Sequence, residues 1–155
     1  MSKIYTFKSV QIIPIPPDKA WNFFSNPSNL QTITPDDMNF TIISNYQSEK
    51  MYAGQIIEYR VKPLSRFSMH WMTEITHVEE KKYFIDEQRF GPYSLWHHQH
   101  HFKTIEGGVE MTDIIHYKIP FWFLGDLANW LFVNSKLKKI FSYRAKKIQE
   151  LFPGK

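Results

Sequence analysis

A chain of 155 residues is the size of one domain and can bury a substantial core without crosslinks. It has no cysteine, so disulfides and thiolate chemistry are excluded. Aromatics make up 17% of it while mean hydropathy stays negative, which argues against a disordered or membrane-spanning chain.

The N-terminus, MSKIYTFKSVQIIPIPP, lacks the basic region, apolar stretch and small-residue site of a signal peptide. A cytoplasmic location is the resulting expectation. Lys3 to Pro14 is rich in β-branched and aromatic residues and predicts a first strand. Pro17 suits the first position of a helix, where no amide partner is needed. Ala20, Trp21, Phe23 and Phe24 give that helix a buried stripe, and Asn26-Pro27 ends it. Ser28 to Ile33 predicts a second short helix, stopped near Thr34-Pro35.

From Phe40 onward the apolar period changes to two. Strands are expected over 39–45, 55–61, 67–78, 83–90, 95–104 and 109–119. Short polar or Gly/Pro connections separate them, and none is long enough for a crossover helix. The sheet is therefore antiparallel.

Helical spacing returns in the last segment. Leu127, Trp130, Leu131, Asn134, Leu137, Ile140, Phe141, Ile148, Leu151 and Phe152 fall on one face, with most lysines on the other. Counted over 124–152, the helix would be roughly 40 Å long at about 1.5 Å per residue. The net charge of +4 is concentrated here: residues 134–155 carry seven Lys or Arg and one acidic residue, leaving −2 for the rest. Cations near a helix C-terminus complement its dipole, and one basic segment gives no reason to expect a nucleic-acid partner. The apolar run from Ile119 to Val133 is too short and too interrupted to span a bilayer.

The predicted order is one strand, two short helices, six strands and a long helix, a single α+β domain over 1–155. A twisted seven-stranded sheet can curl around that helix, and a hollow between them follows more readily than a filled core.

Three segments carry a family resemblance. Pro16-Pro-Asp-Lys-Ala-Trp-Asn-Phe-Phe-Ser-Asn-Pro-Ser-Asn-Leu resembles the opening pattern of the START-like superfamily, also called SRPBCC or polyketide cyclase/dehydrase-like. Phe90-Gly-Pro-Tyr-Ser-Leu-Trp-His-His-Gln-His-His-Phe resembles a "GP…WxHxHxF" strand of one branch. Glu106-Gly-Gly-Val-Glu-Met-Thr-Asp resembles the "GGTxMxD" strand that follows it, with Val109 where Thr is common. The resemblance implies a helix-grip fold with a cavity for a hydrophobic ligand. Function is a separate matter, because the superfamily spans carriers, receptors and cyclases.

The stretch 96–102 carries most of the polar chemistry. On a strand, Trp96, His98, His100 and Phe102 share one face, and the flanking aromatics assign that face to the interior. A two-residue turn at Gly107-Gly108 would place Phe102 opposite Asp113, His100 opposite Ile115, His98 opposite Tyr117 and Trp96 opposite Ile119. On the strand over 67–78, Trp71 shares its face with Phe67, Met69, Thr73 and Ile75, and Tyr59 adds a hydroxyl from the strand before.

The expected function is binding of a small hydrophobic or amphipathic molecule. The ligand-lining set is Tyr59, Met69, Trp71, Trp96, His98, His100, Phe102, Ile115, Tyr117, Leu127, Trp130 and Leu131. Equally open from the residues alone is that the imidazoles, Tyr117 and Asp113 only satisfy one another. An enzyme of cyclase, dehydrase or hydrolase type is an alternative, with His98, His100 and Asp113 as acid/base groups. No nucleophile or cofactor motif supports it, and no cofactor is expected. His98 and His100 have a spacing that suits two metal ligands, but the third (Asp113, His70 or Glu87) is not fixed by any motif, so no metal is expected. A lipid-transfer module that touches membranes transiently through Trp122 and the Lys-rich helix is the third alternative.

Overall fold

The computed structural model describes residues 3–44, 50–62, 67–120 and 126–154, with the side chains of 126–129 left out. Strand β1 (Tyr5–Ile13) ends where Pro14 removes a ladder donor. Helix α1 (Pro17–Phe24) starts on its proline and buries Ala20, Trp21 and Phe24. The helix expected over 28–33 is instead a single 3-10 turn, Pro27–Leu30, held at its start by Ser28 N–H donating to Asn26 Oδ1 at 3.0 Å. A further 3-10 turn at Asp36–Met38 ends on Asn39, whose φ of 42° lies in the left-handed region. Prolines at 27 and 35 remove the amides that a longer helix would need.

Six more strands follow: β2 (Thr41–Ile42), β3 (Ile56–Val61), β4 (Met69–Glu79), β5 (Tyr83–Phe90), β6 (Leu95–Ile105) and β7 (Gly108–Lys118). They form one antiparallel seven-stranded sheet in the order β1-β7-β6-β5-β4-β3-β2. Because β1 and β2 lie at opposite edges, residues 14–40 must cross the width of the sheet. Irregular pairing of β4 with β5, between Met72/Thr73 and Ile75/His77, adds local bending. Helix α2 (Asp126–Leu151) lies in the curve and buries Val133, Leu137, Phe141 and Ile148. No described helix is long and apolar enough to cross a membrane.

Two expectations change. Phe67 does not share the inward face with Trp71: β4 begins only at Met69, and Phe67 is 78% exposed. The β6–β7 hairpin turns at Glu106-Gly107, not Gly107-Gly108, since Ile105 pairs with Gly108. Gly107 supplies the positive φ, 79°, that the turn requires. Gly108 belongs to the strand because β1 passes over it, and a Cβ there would run into the Ile13 carbonyl oxygen. The register moves by two residues, so every side chain keeps its face while its partner changes. His100 now faces Asp113, His98 faces Ile115, Trp96 faces Tyr117, and Phe102 faces Met111.

Two apolar clusters fill the grip. One joins α1 to the sheet, with Trp21 edge-on to Phe84 at 6.1 Å and to Phe102 at 5.4 Å. The other joins α2 to the sheet around Phe7, Trp71, Tyr93, Ile115, Tyr117 and Phe141. Polar side chains occupy the ground between them.

Candidate functional site

Between the sheet and α2 lies a cavity of about 170 Å³. Phe40, Tyr59, Trp71, Tyr93 and Trp96 form an aromatic wall, and Leu137, Ile140 and Phe141 close it from the helix. Trp71 stacks on Tyr59 at 5.9 Å and meets Trp96 edge-on at 5.3 Å. Its indole N–H donates to Thr73 Oγ1 at 3.1 Å, and the Tyr59 hydroxyl meets the same oxygen at 2.8 Å. The polar edges of Trp71 and Tyr59 on this aromatic wall are therefore already bonded.

The other wall is charged. Asp86 on β5 stands across from His98, and Asp113 on β7 stands across from His100. Alternation along β6 stacks the two imidazoles with centroids 3.7 Å apart. His98 Nε2 donates to Asp113 Oδ1 at 2.9 Å, with Nδ1 3.6 Å from Asp86 Oδ2. His100 Nε2 donates to Asp86 Oδ2 at 2.8 Å. His100 Nδ1 lies 3.0 Å from Asp113 Oδ1, but its N–H points off the oxygen, so this is an ion pair and not a hydrogen bond. Each carboxylate thus touches both rings in a four-membered circuit. Phe84 covers one side of His100, nearly parallel at 4.1 Å.

Burial works against every charge in this circuit, and the partners decide which survive. For Asp113 burial pushes the pKa up, but the close contact with His100 and the hydrogen bond from His98 outweigh it and hold the carboxyl well below its ordinary value. Asp86 follows the same pattern: burial raises it, while the His100 hydrogen bond and the charges of His98, His100 and Arg144 bring it down. For His100 burial opposes the cation, yet two carboxylates raise the imidazole above its ordinary range. His98 goes the other way, lowered by burial and then by the His100 charge. The surroundings thus favour the cation on His100 and the neutral form on His98.

Arg144, on α2, completes the charge pattern and lines the same cavity. Burial lowers its pKa while Asp113 and Asp86 oppose the shift, and a guanidinium begins high enough to stay charged. With the proton on His100, the two carboxylates, His100 and Arg144 sum to no net charge. Asp86, His98 and His100 also present three ligand atoms within 4.8 Å of one another, the set that comes nearest to a metal site among the described residues.

Of the ligand-lining residues expected from sequence, Tyr59, Trp71, Trp96, His98 and His100 border the cavity. The others do not. Phe102 packs against α1, and Ile115 and Tyr117 are sealed beneath the wall. Met69 sits at the start of β4, paired with Val61. Trp130 stacks on Tyr5 at 6.2 Å, and Leu131 is 53% exposed. Leu127's side chain and all of Trp122 fall outside the described residues. Asp113 lies behind the imidazoles. His70 and Glu87, weighed as third metal ligands, are engaged elsewhere: His70 with Glu58 at 3.0 Å, and Glu87 with His97 at 2.8 Å.

Bordering residues that were not anticipated include Asp86, Tyr93 and Arg144. Asp86 alternates with Phe84 on one face of its strand, and an acidic group between aromatics was the available signal. Arg144 falls three residues after Phe141 and four before Ile148, a cation on the apolar stripe. Tyr93 sits beyond the Gly91-Pro92 turn, where strand parity says nothing. Gln88 fixes it there, donating to the Tyr93 carbonyl at 2.6 Å and accepting its N–H at 3.2 Å.

No protein-family model matches the sequence, and no curated protein matches it. Solved structures do. Major latex-like protein 151 from Panax ginseng is 13% identical, with a TM-score of 0.70 over 97% of this chain and 98% of that one. A protein from Thermus thermophilus is 10% identical, with a TM-score of 0.70 over 95% and 99% of the two chains. Protein Ms6760 from Mycobacterium smegmatis is 16% identical, with a TM-score of 0.66 over 94% and 89%. At such identities the likeness is one of fold. The chain has the START-like, helix-grip fold.

Proposed function

We propose that this protein binds a small hydrophobic or amphipathic molecule in the cavity between the sheet and α2. The observation that carries the reading is an aromatic wall facing a buried charged wall across open space. Apolar surface supplies affinity there, and a few fixed polar groups supply orientation. Tyr59, Trp71, Trp96, His98 and His100 would touch the ligand, with Tyr93, Asp86 and Arg144 beside them. Native mass spectrometry of protein purified from its own cells tests the reading. A retained apolar molecule, released on unfolding, is expected. Protein that carries none and binds no apolar probe would refute it.

A second reading is favoured by one observation, the stacked imidazoles of His98 and His100 at the cavity edge, the first shifted toward its neutral form and the second toward the cation. Such a pair offers a base and an acid to one ligand, as an enzyme of cyclase, dehydrase or hydrolase type requires. The same measurement separates the two readings. A binding protein carries the same mass in wild type and His98→Gln, whereas an enzyme so disabled accumulates its substrate and shows a different mass.

A further inference from the structure

We propose that the cavity is built for an apolar acid, a molecule with an aromatic or aliphatic body whose anionic group is held by Arg144. The proposal rests on the binding reading above and names the class of ligand. Arg144 projects from α2 with its guanidinium carbon 4.9 Å from the Phe141 ring centroid, and it borders the cavity. Its Nε is buried without a hydrogen bond. Among the described residues, no carboxylate lies within ion-pair distance of the guanidinium, and none of its nitrogens makes a hydrogen bond.

Arg144 Nε has lost water and found no acceptor, which is costly, because a buried donor left unsatisfied bears its full desolvation penalty. Asp86 and Asp113 are the nearby candidates to satisfy it. Their short contacts are all with His98 and His100, and they reach Arg144 only through longer-range attraction. What remains is a planar fork of donors facing open space, the geometry that accepts a carboxylate through two parallel hydrogen bonds. Lys136, two turns earlier on α2, borders the same cavity and adds to the positive potential. Across the space, Phe40, Trp71, Tyr93 and Trp96 offer an apolar surface for the rest of the molecule.

The test uses two fluorescent probes with the same anilinonaphthalene body. One is neutral N-phenyl-1-naphthylamine and the other is the anionic 8-anilinonaphthalene-1-sulfonate. Wild type is expected to bind the anionic probe about 10-fold tighter. Arg144→Gln should remove most of that advantage and leave the neutral probe within about 2-fold, and Arg144→Lys should keep part of it. Circular dichroism reports independently whether each variant is folded. In wild type alone, decanoate should displace the neutral probe at lower concentration than 1-decanol. Equal affinity for the two probes together with equal displacement by acid and alcohol overturns the acid-binding proposal and leaves the cavity reading standing. Loss of both probes in parallel in a folded Arg144→Gln variant overturns it as well. Failure of wild type to bind either probe overturns both.

Discussion

Asp113→Asn is the sharpest probe of the buried circuit. The carboxylate accepts a hydrogen bond from His98 at 2.9 Å and balances the His100 charge at 3.0 Å, with almost no solvent contact. Removing one partner of a buried pair costs about 3–5 kcal/mol, and since the amide oxygen can still accept from His98 we expect about 2–4 kcal/mol. For a chain of this length that corresponds to a melting temperature lower by roughly 5–15 °C near pH 6. The pH dependence has a definite sign. Asp113 is held below its ordinary value of 3.8, so its contribution is present above that pH and is lost as pH falls toward its folded value. His100 is raised above 6.5, so its contribution is complete below that pH and is lost as pH rises through its folded value. The gap between wild type and variant is therefore widest between these two values and closes on the acid side. Melting followed by circular dichroism from pH 3 to pH 8 measures it. Equal melting temperatures at pH 6, or a gap unchanged at pH 3, would refute a charged circuit.

Other variants address the rest of the architecture. Trp21→Ala should cost about 3–5 kcal/mol in denaturant unfolding, because it empties the space against Phe84 and Phe102. Since Trp21 does not border the cavity, neutral-probe affinity under native conditions should stay near wild type. Gly108→Ala should cost about 1–3 kcal/mol or more by forcing β1 away from β7, visible as faster amide exchange along both strands. Zinc at millimolar concentration should not raise the melting temperature. A metal at Asp86, His98 and His100 would have to displace the His100 proton and sit near the Arg144 guanidinium. A stoichiometric zinc-dependent rise that His100→Gln abolishes would reverse that expectation.

Much of the helix-grip arrangement is legible along the chain. Period-two runs separated by short turns leave only an antiparallel sheet, and a long apolar stripe at helical spacing needs that sheet as its partner. The inward face of β6 is legible too, because Trp96 and Phe102 bracket the two imidazoles at even spacing. Facing survives a register error of two residues, which is why the orientation of His98, His100 and Asp113 could be read although their partners could not. Which partners they meet depends on Gly108 yielding to the backbone of β1, the strand that opens the chain, a contact that no local pattern records.

Sequence by itself determined the elements, their order and the side of the sheet on which the polar residues stand, since these follow from local periodicity and the chirality of the backbone. Tertiary structure alone decided that Asp86 closes the circuit with the two imidazoles, that Tyr93 folds in from a turn, and that Arg144 is left without an acceptor. Those outcomes depend on strand register, bulges and the docking of α2. Each is settled by packing between segments far apart in the chain, where the energy of a contact depends on what every other segment has already filled.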